Sequence, residues 1–137
     1  MRTLEDNEIS IIKEVETGPA TLRLRSDGIM QFNVKPLDEF GVRELKILLE
    51  AVGEMGGGKQ FLNLVFIEHY MNPDSETRKF NAGEECNRYT IADAYVVNSN
   101  ALKLIGNFYI KVNRPVRPTK MFNNEQDAVD WLYTFLK

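Results

Sequence analysis

The sequence is poor in the residues that usually build metal and redox sites. Its 137 residues include one cysteine, Cys86, and one histidine, His69. A single cysteine excludes an intrachain disulfide and a zinc site made of four cysteines. Because His69 has no second histidine at the spacing that metal sites on helices use, we expect neither a metal nor a cofactor.

Long apolar runs and a large excess of one charge are also missing. The longest apolar stretches, such as residues 64–67, fall far short of the roughly 20 residues that span a bilayer. The formal net charge is −3, whereas a nucleic-acid-binding domain normally has a strong basic excess. The first residues contain no apolar stretch of the secretory kind. We therefore expect a cytoplasmic protein without stable membrane insertion and without a nucleic acid partner.

No catalytic motif stands out either. The run Gly56-Gly57-Gly58-Lys59 follows a predicted helix and precedes a predicted strand, whereas a phosphate-binding loop leads from a strand into a helix. Cys86 has no evident base beside it that would activate its thiol. Since no acid–base pair, nucleophile triad or metal cluster emerges, we expect that the protein is not an enzyme.

What the sequence does contain is a regular alternation of strand and helix patterns. Three strands are predicted first, and Ser26-Asp27-Gly28 is typical of a tight hairpin between the second and the third. The predicted elements are strands at residues 8–16, 21–25 and 29–34, a helix capped by Asp38 and stopped at Gly56, a strand at 61–67, a helix from Asp74 or Ser75 to 82, a strand at 91–97, a helix at 101–113, a strand at 119–122 and a C-terminal helix. This order predicts an α/β fold, with α-helices packed on a mixed β-sheet, in a single domain spanning residues 1–137.

The order of elements and the segment between residues 91 and 132 carry a family resemblance. The residues concerned are Ile91-Ala92, Asn98-Ser99, the run from Leu104 to Lys111, Lys120-Met121-Phe122 and Ala128-Val129-Asp130-Trp131-Leu132. They resemble the STAS fold of the anti-sigma-factor antagonists, the SpoIIAA-like proteins, and in particular a bacterial STAS-like branch. The resemblance implies a binding or regulatory module and not an enzyme.

The same resemblance draws attention to Ser75. In the antagonists, a serine in an Asp-Ser-Ser-Gly-type turn after a central strand is phosphorylated by a partner kinase. The run Asp74-Ser75-Glu76-Thr77 falls at the corresponding place and matches the turn at Asp-Ser only. Ser75 is therefore a candidate phosphorylation site, since a phosphate would either sit at the positive end of a helix or block docking of a partner. The alternative is that Asp74 or Ser75 simply caps the helix.

The helix predicted at residues 101–113 is more apolar than contact with one sheet requires. We expect it to cover something else as well: the C-terminal helix with Trp131, an identical subunit, or an apolar ligand. The candidate interaction surface consists of Leu104, Phe108, Tyr109, Lys103 and Lys111. Basic residues collect around the end of this helix, namely Lys103, Lys111, Arg114, Arg117 and Lys120. They form either a solvated basic face or a docking patch for an acidic partner or anionic head group.

Together these observations predict a non-enzymatic binding or regulatory module that acts through protein–protein interaction, with an unidentified protein partner or as a homodimer. The alternative is a carrier or sensor of a small apolar, lipid-like ligand, similar to the CRAL-TRIO-type lipid carriers that share this broad plan. The two hypotheses differ in what they expect inside the protein. The first expects a filled interior, and an interior without a cavity would exclude the second.

Overall fold

Six strands form one sheet in the order in which they follow along the chain. A computed structural model of the protein describes residues 9–136. The strands are β1 (Ile11–Glu16), β2 (Ala20–Arg25), β3 (Ile29–Val34), β4 (Phe61–Ile67), β5 (Thr90–Val97) and β6 (Thr119–Phe122). The strands from β1 to β3 pair antiparallel, and those from β3 to β6 pair parallel. The predicted α/β fold with a mixed sheet is thereby confirmed.

Five helices connect or follow these strands within residues 9–136. They are α1 (Val42–Met55), α2 (Ser75–Ala82), α3 (Glu84–Asn87), α4 (Asn100–Asn113) and α5 (Glu125–Tyr133). The one-turn helix α3 was not predicted, because four residues are too few to show a helical period. None of the helices in this part of the chain is long and apolar enough to cross a membrane.

The start of α1 differs from the prediction. Gly41, and not Asp38, is the residue that caps the helix. The Gly41 N–H donates to Glu44 Oε1 at 2.8 Å, and this hydrogen bond lowers the pKa of the Glu44 carboxyl group. The prediction of an Asp38 cap was wrong because a glutamate three residues into the helix supplies the capping interaction instead.

One face of the sheet is covered by α5 and is closely packed. Leu62 and Leu64 of β4 alternate with residues of the opposite face, and Ala92 and Ala94 do the same in β5. These side chains contact Leu132 and its neighbours on α5, and all of them are almost completely buried. The helix α4 packs on the other face, so the interpretation that α4 is buried against the C-terminal helix is wrong.

The second face is covered by α1 at one side and by α4 at the other. The α1 residues Leu48 and Val52 pack over β2 and β3, whereas Leu102 of α4 packs on Met121 of β6. A Cβ atom at Gly106 would lie only 2.1 Å from Met121 Cε, so glycine allows α4 to approach the sheet closely at this point. The short helix α2 contacts both α1 and α4. At the centre of this face, α1 and α4 do not fully cover the side chains of β4 and β5.

Candidate functional site

A cavity of about 170 Å³ lies between the sheet and the helices α1, α2 and α4. Its apolar walls include Val65, Ile67, Val97, Leu45, Leu48, Leu49, Val52, Leu102 and Ile105. For scale, an engineered cavity of about 150 Å³ lined by leucine, isoleucine and phenylalanine stays dry and binds benzene. The space is therefore large enough for a small apolar molecule, and its walls suit one chemically.

One end of the cavity is polar although it is buried. Asp93 of β5 and Arg117 of the loop before β6 form an ion pair, in which Arg117 Nε donates to Asp93 Oδ2 at 2.7 Å. Asp93 is 2% exposed and Arg117 is 6% exposed. Asn63 of β4 donates through Nδ2 to the other carboxylate oxygen of Asp93 at 2.9 Å and to Thr90 Oγ1 at 3.0 Å. Two buried charges are tolerated here because each is paired and hydrogen-bonded.

Asn81 of α2 extends this cluster toward α4. Its Nδ2 donates to the hydroxyl oxygens of Tyr95 and Tyr109, both at 3.1 Å. Its Oδ1 accepts from Arg117 Nη2 at 3.5 Å. The polar cluster of Asn63, Asn81, Asp93, Tyr95, Tyr109 and Arg117 thus connects β4, β5, α2, α4 and the loop before β6, and every member lines the cavity.

Two polar atoms of the cluster have no hydrogen-bond partner within residues 9–136. They are Arg117 Nη1 and Asn63 Oδ1, and both are buried. A buried polar atom that lacks a partner costs about 1–3 kcal/mol, and more when the group is charged. Both residues line the cavity.

The electrostatics of the cavity keep its reactive groups protonated. Burial raises the pKa of the Cys86 thiol to about 11, and Cys86 also lines the cavity. Burial likewise raises the pKa values of the Tyr95 and Tyr109 hydroxyls above their ordinary range. Burial works against the charge of Arg117, but the Asp93 carboxylate outweighs it and raises the pKa of the guanidinium group. Near neutral pH, the Cys86 thiol and the Tyr95 and Tyr109 hydroxyls are therefore neutral, and the Arg117 guanidinium is charged.

Residues 22–136 match the model of a family described as a domain of unknown function, DUF7793. The matched residues make up more than half of the chain and include the whole polar cluster. The chain belongs to this family. No curated protein matches the sequence significantly.

Two solved structures are similar to this member of the DUF7793 family. The first is an uncharacterized protein of the DUF3478 family with a SpoIIAA-like fold from Shewanella loihica PV-4, with a TM-score of 0.56 and 12% identity over 90% of this chain and 93% of that chain. This likeness shows the fold alone, and it confirms the SpoIIAA-like fold. The second is a protein with unknown function from Arthrobacter sp. FB24, with a TM-score of 0.31 and 23% identity over 88% of this chain and 98% of that chain.

Ser75 and Asp74 lie at the start of α2, outside the polar cluster. Asp74 is the N-cap residue, and its carboxylate accepts from the Thr77 N–H at 2.9 Å and from the Thr77 hydroxyl at 2.6 Å. These hydrogen bonds lower the pKa of Asp74. Ser75 is the exposed first residue of the helix. Asp74 therefore has the capping role, and phosphorylation of Ser75 stays a prediction.

The candidate surface on α4 divides between two sides of the helix. Leu104 and Phe108 are 71% and 51% exposed, and Lys111 is exposed beside them, whereas Lys103 is half-buried. Tyr109 is buried and turned toward the cavity, so its assignment to the outer surface is corrected. The helical period explains the error, because an apolar helix shows no clear boundary between its inner and outer sides.

The remaining candidate groups are far from any metal-binding arrangement. His69 is exposed in the loop after β4. Among residues 9–136, no three acidic, cysteine or histidine side chains lie close enough together to hold a metal ion. The residues that sequence reasoning missed are Asp93 and Arg117, with Asn81 and Asn63. Two of them carried a signal, because Asn63 and Asp93 interrupt otherwise apolar strands.

Proposed function

We propose that this domain binds a small, largely apolar molecule in the cavity, as a carrier or a sensor. The observation that carries the proposal is the cavity of about 170 Å³ with apolar walls. Unfilled volume carries a cost in stability, because the atoms that line it lose contacts. A bound molecule would offset it.

In this proposal the domain binds its ligand without catalysing a reaction on it. The raised pKa values of Cys86, Tyr95 and Tyr109 support it, because a protonated thiol or hydroxyl is a poor nucleophile and a poor base at neutral pH. Asp93 is engaged by Arg117 and Asn63 through both of its carboxylate oxygens. A carboxylate held in this way is suited to positioning its neighbours rather than to accepting a proton.

Filling the cavity tests the proposal. Ile105→Trp places a large ring at the cavity wall, whereas Leu104→Trp makes a similar change on the same helix at an exposed position. We expect toluene at 100 times its dissociation constant to stabilise the wild type and Leu104→Trp by about 2.7 kcal/mol, and to have little effect on Ile105→Trp. Thermal unfolding measures the shift. Native mass spectrometry of the gently purified protein should also detect a bound small molecule, and failure of both measurements would reject this function.

A second candidate function is protein binding through the outer face of α4. The stripe of Leu104, Phe108 and Val112 is more than half exposed, with residues spaced by four. Exposed apolar stripes of this kind commonly mark interaction sites. The Arg78 guanidinium lies 5.2 Å from the centre of the Phe108 ring.

Lys111 and Arg114 are exposed near the same stripe. A second copy would bring like charges together, so the charge favours a protein partner with an acidic and apolar segment over a homodimer.

Crosslinking tests this second function. A photo-crosslinking side chain at position 104 should capture, in the native host, a partner segment that is both acidic and apolar. The Phe108→Glu substitution should abolish capture, while Tyr70→Glu, at an exposed aromatic residue in the loop after β4, should not. Light scattering that gives twice the monomer mass would instead support the homodimer. Cytoplasmic location and phosphorylation of Ser75 stay proposals, the latter to be tested by intact-mass analysis of the protein from its host.

A further inference from the structure

The polar cluster has more free hydrogen-bond donors than free acceptors. Arg117 Nη1 carries two N–H groups and has no partner in the described chain. Asn81 Nδ2 donates to the oxygens of Tyr95 and Tyr109, so each hydroxyl acts as an acceptor there and retains its own proton for donation. Among the side chains of residues 9–136, the one buried acceptor without a partner is Asn63 Oδ1. The group that best completes the cluster is therefore one that accepts hydrogen bonds.

The charges around this end of the cavity favour an uncharged acceptor. Arg117 and Asp93 neutralise one another at 2.7 Å. A carboxylate on the ligand would add an uncompensated negative charge in a buried place close to Asp93, which is costly. The other cation that lines the cavity, Arg78, has its guanidinium 5.2 Å from the centre of the Phe108 ring, which is 51% exposed on the outer side of α4, so this charge lies toward the surface. A neutral carbonyl oxygen needs no such compensation.

We infer that the cavity takes an apolar molecule bearing an uncharged oxygen acceptor, such as a ketone, ester or amide carbonyl, whose oxygen accepts a hydrogen bond from Arg117 Nη1. The hydroxyls of Tyr95 and Tyr109 provide further donors on the side of Asn81. This inference rests on the proposed ligand-binding function and names the chemical class of its ligand. The carbonyl gives orientation and selectivity, and the apolar walls hold the rest of the molecule.

Three probes of nearly identical shape test the inference. α-Methylstyrene, acetophenone and benzoate carry a CH₂ group, a neutral oxygen and a carboxylate, respectively, on the same ring. We expect acetophenone to bind about tenfold more tightly than α-methylstyrene, because a hydrogen bond to a charged donor adds roughly that factor. We expect benzoate to bind more weakly than acetophenone. Amide NMR titrations of the wild type give the three dissociation constants, and the Arg117 Nε resonance should shift with acetophenone only.

Each outcome of these titrations is informative. Equal binding of acetophenone and α-methylstyrene would overturn the inference, and a resident water that already bonds to Arg117 would produce this result. The proposed ligand-binding function would remain intact. Tightest binding by benzoate would overturn the uncharged class in favour of an anion. If none of the three probes binds and toluene also fails, the proposed function and the inference are both rejected.

Substitutions in the polar cluster test whether it causes the preference for acetophenone over α-methylstyrene. Arg117→Lys keeps a cation for Asp93 but removes Nη1, so we expect the preference for acetophenone to fall to within about twofold while α-methylstyrene binds as before. Tyr109→Phe keeps the ring and should reduce that preference about threefold. Tyr89→Phe is its control, because Tyr89 lines the cavity but its ring lies against Gly53 of α1. An unchanged preference in both Arg117→Lys and Tyr109→Phe would contradict the assigned donors even if one variant is unstable.

Discussion

The two faces of the sheet are built from alternate residues of the same strands, yet they differ in almost every physical property. Toward α5, Leu62, Leu64, Ala92 and Ala94 meet an apolar helix, and all are almost completely buried. Toward α1 and α4, the intervening residues include Asp93, and a cavity remains. The α5 face is packed as closely as a protein core normally is. The other face is less closely packed, and the residues around its unfilled volume are those that would contact a ligand.

This difference indicates how the molecule divides its tasks. The α5 face accounts for stability through complete burial of apolar side chains. The cavity face contains an ion pair, whose burial has a desolvation cost, and two unpartnered polar atoms and unfilled volume, each of which lowers stability. Local departures of this kind from good packing and polar satisfaction are typical of functional sites. Measurements that compare the two faces can contradict or refine this division.

The largest effect should come from breaking the buried ion pair. Asp93→Ala leaves the Arg117 charge buried without its partner, so we expect a loss of about 3–5 kcal/mol in the free energy of unfolding, measured with urea. Leu64→Ala on the α5 face should cost about 2–5 kcal/mol through the cavity that it creates.

The two faces should differ in how such losses can be repaired. The double variant Asp93→Leu/Arg117→Met should recover most of the loss, because apolar side chains of similar volume can replace a buried pair. It should nevertheless abolish the preference for acetophenone. If the double variant remained as unstable as Asp93→Ala, the pair would have a structural role that we do not assign to it.

Adding volume should cost more stability on the α5 face than on the cavity face. Ala94→Leu inserts three carbon atoms into the packed α5 face, and we expect it to cost about 1–3 kcal/mol. Ile105→Trp adds a larger side chain at the cavity wall, and we expect a cost below about 1 kcal/mol. Urea unfolding of both variants measures the contrast. Equal costs would show that the cavity face cannot accept additional atoms, which would weaken the proposed ligand site.

The sequence predicted the α5 face better than the cavity face. Alternation and helical period identified the strands, the helices and the SpoIIAA-like fold, since these patterns are local. The cluster instead depends on register: Asn63 and Asp93 are direct neighbours only because β4 and β5 pair in that alignment. Their positions in apolar strands were visible, but their common partner was not.

Arg117 was the harder residue to predict. It was grouped with a basic face at the end of the helix at 101–113, yet it is buried, unlike the exposed Lys111 and Arg114. The loop before β6 turns its side chain inward to Asp93, 24 residues earlier in the chain. No local pattern distinguishes an arginine of this kind from a solvated one. The cavity itself was equally hidden, because it depends on how far apart α1 and α4 lie on the sheet.

Removing helix caps should give smaller and nearly equal effects on stability. Ser99 caps α4 by accepting from the Leu102 N–H at 3.1 Å, and Asn124 caps α5 by accepting from the Asp127 N–H at 2.9 Å. Ser99→Ala and Asn124→Ala should each cost about 1 kcal/mol. Only Ser99→Ala should also weaken toluene binding, because Leu102 lines the cavity. Equal effects of the two variants on toluene binding would argue against a ligand site bounded by α4.

The mildest test changes no residue and uses the single cysteine. Burial raises the pKa of Cys86 to about 11, so its thiolate fraction at pH 8 is far smaller than in the unfolded chain. We expect native alkylation by iodoacetamide at pH 8 to be roughly 100-fold slower than in urea, and to accelerate about tenfold for each pH unit up to pH 10. Because deprotonation is easier in the unfolded state, Cys86 contributes to stability below its unfolded pKa, and this contribution is lost as the pH rises toward 11. Since Cys86 lines the cavity, toluene should slow the native reaction further, whereas an unchanged rate would place toluene elsewhere on the protein.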